Sequence, residues 1–378
     1  MLSIPKHELL FRQSHQLELR REPVTSVSDS AVVIRMKAAG LCGTDIAMLR
    51  GTRACGAEVL GHEGVGVVLS APKQSGLSEG SRVIVNPVHH SRPECVIGHS
   101  RDGVFRELFW LDSSEVAQGG FLVECPTDCP VECTELALAE PVASVVYSLA
   151  LLRGQKTSSS LLIRGSGTIA ILAAKLWSTD GGSTAVIVSK SEAHARWLRE
   201  ATHMPPNVTI LNIEANGGIV SNTIFDSAIL CCSREDARDG FRFLMDNAHD
   251  GATIDLMAGF PADFRETRLS GVELDRIRWN NICGIQSAPP TRVRDEKTGK
   301  TFNLVGHRGT SERQILQAVN LLSQRTVSLA DIPHETVALE ELPTAVLDVL
   351  SPARHKNKWV KAMITFPQNG LGDLDGHH

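Results

Sequence analysis

The chain has 378 residues, of which 42% are hydrophobic and 21% charged, with a formal net charge of -5 and a pI of about 6.3. This composition is typical of a globular protein large enough for two domains. Without a basic excess, nucleic acid and anionic membrane surfaces are poor partners. No apolar run has the length of a transmembrane helix, and the N-terminus lacks the pattern of a signal peptide. We therefore expect a cytoplasmic protein without membrane attachment.

The first part of the chain has the pattern of a compact β-rich unit. Between residues 30 and 150, short apolar runs alternate with Gly, Pro, Asn and Asp. The β-branched residues of these runs, and the turn residues that bound them, are typical of strands. Strands are predicted for AVVIRMKAAG from residue 31, VGVVLS from residue 65 and SRVIVNP from residue 81.

From about residue 155 the pattern changes to strands that alternate with helices. The segment SSLLIRGSGTIAILAAKLW predicts a strand, a glycine turn and a helix, and STAVIVSK and EAHARWLREA predict the next strand and helix. Further strands are predicted from VTILN, FDSAILCCS and GATIDLMAGF. This alternation indicates an α/β fold, a doubly wound parallel sheet with helices on both faces.

The glycine turn has the spacing of a dinucleotide-binding loop. Gly165, Gly167 and Ala170 occupy the three positions of the fingerprint, between a strand and a helix. The first glycine allows the tight turn, and the second allows the backbone to approach a pyrophosphate at the helix N-terminus. We therefore expect Gly165, Gly167, Thr168 and Ile169 to bind a cofactor. The alternative is an ordinary turn between a strand and a helix.

The end of the next predicted strand bears on which nicotinamide cofactor is used. A carboxylate is expected there, about 20 residues after the turn, to hold the ribose hydroxyls of NAD(H). This chain has Ser189 and Lys190 instead. Small and basic residues tolerate a 2′-phosphate, so the sequence favours NADP(H) over NAD(H). Lys190 is the predicted phosphate partner, and Arg196 is a second candidate.

The remaining residues predict a return to the β-rich unit. The segment 287–303 is polar and rich in Pro and Gly, which is typical of a loop or a crossing between domains. SERQILQAVNLLSQ and LEELPTAVLDVL predict helices, and KWVKAMITF predicts a closing strand. The predicted boundaries are 1–150 for the β-rich domain, 151–288 for the dinucleotide-binding domain and 289–378 for the returning segment.

A histidine and a glutamate interrupt the apolar run VLGHEGVGVV at residues 59–68. An unpaired buried charge is costly, whereas a metal ion would stabilise His62 and Glu63 side by side. Cys42 precedes them in the segment GLCGTD, and thiolate and imidazole are typical zinc ligands. Taken singly, Cys42 could be a core cysteine and His62 a hydrogen-bonded core histidine.

Four motifs together carry a resemblance to a known family. GLCGTD, GHEGVGVV, LAEPVASVVYSL and GSGTIA, in this order, resemble the zinc-dependent medium-chain alcohol dehydrogenases. The resemblance extends from about residue 24 to residue 365 and is closest to the sorbitol and threonine dehydrogenase branch and the related aminocyclitol dehydrogenases. It implies a Rossmann domain together with a GroES-like catalytic domain, and a homodimer or homotetramer.

The resemblance also implies one catalytic zinc and a role for each residue around it. The ligands would be Cys42, His62 and Glu140 of the EP motif, with Glu63 as an exchanging ligand or a supporting catalytic group. Zinc would bind the substrate oxygen as a Lewis acid, Thr44 would take the hydroxyl proton, and hydride would pass to or from the nicotinamide. Taken alone, Glu140 could simply begin a helix, and Thr44 could cap a turn.

The chain departs from the pattern of this family in two places. The four cysteines of the family's structural zinc are missing, since the matching stretch holds only Cys95, so we expect one zinc per chain. His89, His90, Cys95 and His99 match no closed metal-site pattern, and the histidines are interpreted as surface residues. Ala47 stands where the family often has a histidine that relays protons, so the relay would end differently here.

The nine cysteines are an odd number in a long chain, which argues against a disulfide framework. Cys125, Cys129 and Cys133 lack the tight pair of an iron–sulfur site and are interpreted as packing residues. Cys231 and Cys232 end a strand of the dinucleotide-binding unit, so we expect them to line its cofactor side.

The predicted substrate is a small polar alcohol or its ketone. The segment NLVGHRGTSERQ places His307 and Arg308 before a helix, where they either contact a polar ligand or lie as solvated charges. A polar site suits a polyol, amino alcohol or aminocyclitol better than a long aliphatic alcohol. Two alternatives remain open, a zinc-free NADPH-dependent reductase of the same superfamily and a non-catalytic NADPH-binding protein.

Overall fold

The structure, a computed structural model, describes residues 6–23, 27–154, 159–213, 225–261, 264–285, 288–350 and 359–367. Its strands are β1 (His7–Gln13), β2 (Gln16–Glu22), β3 (Ala31–Leu41), β4 (Glu63–Ser70), β5 (Arg82–Val85), β6 (Leu108–Asp112), β7 (Leu122–Glu124), β8 (Ser160–Arg164), β9 (Thr184–Ser189), β10 (Val208–Asn212), β11 (Phe225–Leu230), β12 (Ala248–Leu256), β13 (Thr291–Arg294), β14 (Thr301–Val305), β15 (His334–Ala338) and β16 (Lys361–Thr365). Its helices are α1 (Gly43–Leu49), α2 (Ser113–Gly119), α3 (Cys133–Leu136), α4 (Ala139–Arg153), α5 (Thr168–Thr179), α6 (Glu192–Ala201), α7 (Ala237–Asn247), α8 (Leu274–Ile277), α9 (Glu312–Ser323) and α10 (Leu342–Leu350). Short 3-10 turns lie at Lys73–Ser75, Leu329–Asp331 and Leu339–Glu341.

The chain divides into two compact units. The first comprises Met1–Glu140, Ser311–Ser323 and His334–His378, and the second comprises Pro141–Thr310 and Gln324–Pro333. These divisions differ from the boundaries at 150/151 and 288/289 that the sequence predicts. The difference at the predicted boundary 288/289 has a physical cause. Because β14 pairs with β12, and β13 pairs with β14, both strands belong to the sheet of the second unit.

The second unit is built on a seven-stranded sheet in the order β10-β9-β8-β11-β12-β14-β13. All neighbours are parallel except β13 and β14. The order of the first six strands is that of a doubly wound dinucleotide-binding sheet, so the predicted Rossmann fold is confirmed. One local prediction is wrong in part, because residues 291–294 and 301–303 of the polar segment predicted as a loop belong to the antiparallel β13–β14 pair.

The strands of this sheet form because their residues are almost all apolar and buried. All five residues of β8 are buried, as expected for a parallel strand covered on both faces. Side chains from strands and helices share one core cluster, which includes Leu162, Val188, Phe241 and Ile254. The predicted helix EAHARWLREA is α6, and the side chain of Ser191 caps it by accepting from the backbone N–H of His194.

The first unit contains the predicted β-rich sheet, in the order β15-β16-β3-β4-β5-β7, with β6 also paired with β3. Its neighbours are antiparallel except β15 and β16. Strand β3 lies between β16 and β4, and in this register Gly40 faces Met363 on one side and Glu63 on the other. This register brings β16, the last described strand of the chain, close to His62 and Glu63 across β3.

One apolar helical stretch stands out among the described residues. Cys133–Arg153 is long and apolar enough to cross a membrane by length and composition. However, 67% of its most apolar window is buried inside the protein, as is usual for the core helix of a globular unit. The stretch is therefore weak support for a membrane span.

Candidate active site

The structure brings Cys42, His62 and Glu63 together in the first unit. Cys42 follows β3 and precedes α1, while His62 and Glu63 stand at the start of β4. Their ligand atoms all lie within 4.8 Å of one another. Sulfur, imidazole nitrogen and carboxylate oxygen are the donors that proteins use for zinc, so this set fits the ion that the sequence predicts.

Asp45, which sequence reasoning missed, fixes the geometry of this group. Its fully buried carboxylate accepts from the backbone N–H of Cys42 at 2.9 Å and of Gly61 at 3.3 Å. One of its oxygens also lies 3.5 Å from Nδ1 of His62, which leaves Nε2 as the nitrogen for a metal. The local signal is the position of Asp45 in the first turn of α1, three residues after Cys42.

The electrostatics of His62 favour a positive charge at this place. Burial lowers the pKa of His62, but the charges of Asp45 and Cys42 outweigh it and raise this pKa well above its ordinary value. A metal ion would supply the positive charge directly and displace the proton, because only the neutral imidazole is a ligand.

Lys361 is a second residue that sequence reasoning missed. It is 1% exposed and donates a hydrogen bond to the carboxylate of Glu63, which is also buried. Burial lowers the pKa of Lys361, but the charges of Glu63 and Cys42 raise this pKa by more than burial lowers it. The lysine therefore stays protonated. A Cβ atom at Gly40 would lie 2.3 Å from Glu63 and 2.8 Å from Lys361, so this position leaves no room for a side chain.

Of the other two predicted site residues, Thr44 contacts Cys42, whereas Glu140 is not part of the close group. Thr44 is half-buried, and its hydroxyl accepts a weak hydrogen bond from the Cys42 thiol at 3.6 Å. Glu140 is half-buried in the first turn of α4. Its carboxylate is not a member of the set whose ligand atoms lie within 4.8 Å of one another.

The histidine-rich stretch after β5 is more buried than its interpretation as surface suggests. His89 is only 4% exposed and accepts from the backbone N–H groups of Ser91 and Arg92 at 3.1 and 3.2 Å, so the surface interpretation is wrong for this residue. The ring of His99 packs edge-on against His62, with centroids 4.8 Å apart. In the described part of the chain, Cys42, His62 and Glu63 are the one set of three potential ligands this close together.

The glycine turn of the second unit has the geometry of a phosphate-binding loop. Gly165 has a φ of 147°, and a Cβ atom there would lie 2.7 Å from the sulfur of Cys231. Gly167 precedes α5, and a Cβ atom on it would meet nothing within 4 Å. The first turn of α5 begins at Thr168 and Ile169, so unpaired backbone N–H groups face this open space.

In the structure, Lys190, the predicted partner of the 2′-phosphate, is already paired with the carboxylate of Asp236. Ser189 is buried at the end of β9, and Lys190 is mostly exposed and donates to Asp236 at 2.6 Å. The hydrogen bond to Asp236 and its charge raise the pKa of Lys190. Arg196 lies one helical turn after Glu192 and forms a long, solvated ion pair with it at 4.0 Å. A 2′-phosphate on Lys190 would therefore have to displace Asp236.

The structure contradicts the interpretation of His307 as a solvated charge and gives Arg308 an aromatic partner. Arg308 stacks on the ring of Trp279 with its guanidinium carbon 4.4 Å from the centroid. His307 is buried, so it is not a solvated charge. Burial lowers its pKa to about 3, and the side chain is therefore neutral.

Three comparisons place these features among known proteins. Residues 28–120 match the alcohol dehydrogenase GroES-like domain. A zinc-type alcohol dehydrogenase-like protein of Haemophilus influenzae is 22% identical, over 95% of this chain and 98% of its own. The sorbitol dehydrogenase of Bombyx mori is 29% identical over 46% of this chain and 53% of its own. A zinc-binding dehydrogenase of Sinorhizobium meliloti, solved with NADP, superposes with a TM-score of 0.69 at 19% identity, covering 95% of this chain and 99% of that one.

A GroES-like unit with a largely buried Cys–His–Glu group, in one chain with a Rossmann unit, is consistent with a dehydrogenase of two domains. The chain resembles the zinc-type medium-chain alcohol dehydrogenases, which are oxidoreductases, over nearly its whole length. The comparisons thus support the resemblance found in the sequence, and the predicted fold is confirmed.

Proposed function

We propose that this protein is a zinc-dependent, NAD(P)-linked alcohol dehydrogenase that interconverts a polar secondary alcohol and its ketone. The observation that carries the proposal is the close group of half-buried Cys42 and buried His62 and Glu63, held by Asp45 and Lys361. The sorbitol dehydrogenase relative supports a polyol, amino alcohol or aminocyclitol as the substrate. We further propose one zinc per chain, a homodimer or homotetramer, and action in the cytoplasm.

The residues of the first unit would have different roles at the metal. Cys42 and His62 would hold the zinc together with Glu140, while Glu63, neutralised by Lys361, would support the site or exchange into it. When bound, the zinc would act as a Lewis acid on the substrate oxygen. Thr44, beside the Cys42 sulfur, would accept the proton of the substrate hydroxyl.

The residues of the second unit bind the cofactor. The pyrophosphate would lie at Gly165 and Gly167, against the N-terminus of α5 at Thr168 and Ile169. The nicotinamide supplies the hydride chemistry when it is bound. We propose NADP(H) over NAD(H), because Lys190 can exchange its partner Asp236 for a 2′-phosphate, which carries more negative charge.

The test combines metal analysis with a substrate screen. Protein purified without added metal or chelator is analysed for elements, and the same preparation is assayed with polyols, amino alcohols and aminocyclitols and both cofactors. One zinc per chain, with hydride transfer to at least one substrate class, would support the proposal. Failure to bind zinc that is added back would favour the zinc-free reductase. Full zinc and NADPH binding without any turnover would favour the non-catalytic protein.

A further inference from the structure

A second group of buried polar side chains lies in the dinucleotide-binding unit. Asp255 on β12 and Ser148 on α4 are fully buried, and His307 after β14 is 6% exposed. Nδ1 of His307 lies 3.9 Å from a carboxylate oxygen of Asp255. The Ser148 hydroxyl lies near the same carboxylate. None of these three residues has a role in the active site described above.

Several polar atoms of this group make no hydrogen bond of standard geometry in the described part of the chain. This holds for both carboxylate oxygens of Asp255, for Nδ1 of His307 and for Oγ of Ser148, although the Ser148 hydroxyl and the backbone N–H of Leu256 lie close enough to Asp255 to favour its ionised form. Buried polar atoms are rarely left unpaired, because each one costs free energy. A gap of 3.9 Å is too long for a direct hydrogen bond and is within the reach of a bridging water. These three side chains are therefore suited to binding a water molecule and to exchanging a proton through it.

The position of the group links it to the cofactor. Asp255 is the last residue but one of β12, and His307 follows the end of β14. The carboxyl ends of the strands form the edge of a doubly wound sheet at which dinucleotides bind. Ser144 lies four residues before Ser148 on the same face of α4 and is half-buried, so this face carries a second hydroxyl closer to the surface.

Burial makes Asp255 the member of the group that titrates near neutral pH. Burial raises its pKa to about 7, although the positive charge of Arg278 favours the ionised form. Burial lowers the pKa of His307 to about 3, and Arg278 lowers it further. Tyr147, whose ring lies 4.5 Å from that of His307, has its pKa raised by burial to about 12, and burial also raises the pKa of Cys231.

We propose that Asp255, bridged by water to His307 and Ser148, is a proton-binding site linked to the charge of the nicotinamide. The oxidised ring is cationic and the reduced ring is neutral. The carboxyl group therefore gives its proton to solvent when the oxidised cofactor binds, because the anion is then stabilised. When an alcohol is oxidised, its hydride neutralises the ring and its hydroxyl proton is released, and the carboxylate binds one proton again. This inference rests on the nicotinamide cofactor of the proposed function.

The test counts protons as the cofactor binds to the full-length protein. NADP⁺ and NADPH are added at about pH 7 in weak buffer with a pH indicator, and binding itself is followed by fluorescence. Wild-type protein should release more protons with NADP⁺ than with NADPH. Asp255→Asn should lose this difference, whereas Thr253→Val, a change on the same buried face of β12, should keep it. Because protons can also leave the metal centre, the comparison is repeated in the Cys42→Ser background, where the loss caused by Asp255→Asn should persist.

The outcomes separate this inference from the proposed function. Equal proton release in Asp255→Asn and wild type, with cofactor bound to both, would overturn the inference. Cofactor binding without alcohol oxidation would leave it intact and remove only the proposed reaction. If Asp255→Asn does not fold, the infrared difference spectrum of wild-type protein decides. Addition of NADP⁺ should remove a protonated carboxyl band that shifts in Ser148→Ala, and the absence of such a band would overturn the inference.

Discussion

Lys361 donates a hydrogen bond to Glu63 in the interior of the first unit, although the two residues are 298 positions apart in the chain. The pair forms because β3 aligns β4 on one side with β16 on the other. A lysine and a glutamate lose their hydration in such a place, and only their mutual attraction and hydrogen bond compensate for it. The C-terminal strand thereby sets the charge next to Cys42 and His62.

The first prediction concerns this buried pair. Lys361→Met leaves the Glu63 carboxylate buried without a partner and should lower the free energy of unfolding by about 3–5 kcal/mol. The double variant Glu63→Gln/Lys361→Met removes both charges, so its loss should be clearly smaller than the sum of the single losses. Urea unfolding of the three variants measures this coupling. Additive losses would show that the pair contributes no interaction free energy.

The second prediction separates metal binding from cofactor binding. Cys42→Ser should lose zinc and alcohol oxidation, because it removes the thiolate ligand, while NADPH binding at the Rossmann unit changes little. Cys55→Ser is the matched control, since Cys55 is also half-buried in this unit but donates to the carbonyl of His99. Elemental analysis and NADPH fluorescence give the two readouts. Full zinc occupancy in Cys42→Ser would refute the ligand assignment.

The third prediction ranks the two glutamates. Glu140→Gln should abolish tight zinc binding, because it neutralises the proposed third ligand. Glu63→Gln should lower zinc affinity only about 10–100-fold, the usual effect of a group that supports a ligand. Competition with a zinc chelator measures both affinities. The reverse order would mean that Glu63 is the ligand, in accordance with its place in the close group of the structure.

Local sequence patterns predicted the features that depend on residues close together in the sequence. Alternation of apolar strands and helices predicted the Rossmann sheet, and the segments around Cys42 and His62 predicted the metal group. The pairing of Lys361 with Glu63 and of Lys190 with Asp236 could not be predicted, because each joins residues that only the folded chain brings together. Strand β13 was missed because its polar residues lack the alternation of a half-buried strand.

The fourth prediction concerns the choice between NADP(H) and NAD(H). Lys190→Ala should weaken NADP(H) binding about three- to tenfold, a modest effect because the lysine is 68% exposed, and leave NAD(H) binding unchanged. Asp236→Asn removes the competing carboxylate and should strengthen NADP(H) binding. Arg196→Ala tests the second candidate partner, whose ion pair with Glu192 is long and lies in solvent. Fluorescence titration with both cofactors measures the ratio, and unchanged ratios in all three variants would exclude Lys190 as the phosphate partner.

The last prediction is the pH dependence of stability that Asp255 produces. Burial raises the pKa of this carboxyl from 3.8 to about 7, so between these values the folded protein binds more protons than the unfolded chain. The contribution of Asp255 to the free energy of unfolding is therefore complete below about pH 4 and is lost as the pH rises through about 7. Compared with Asp255→Asn, wild-type protein should become steadily less stable from about pH 4 to about pH 7, with a slope of at most ~1.4 kcal/mol per pH unit, and the loss should level off above that range. The opposite contribution of His307, whose pKa is lowered, is present in both proteins and cancels in the difference. Denaturant unfolding across this range measures the slope, and a difference that does not change with pH would show that Asp255 has its ordinary pKa in the folded protein.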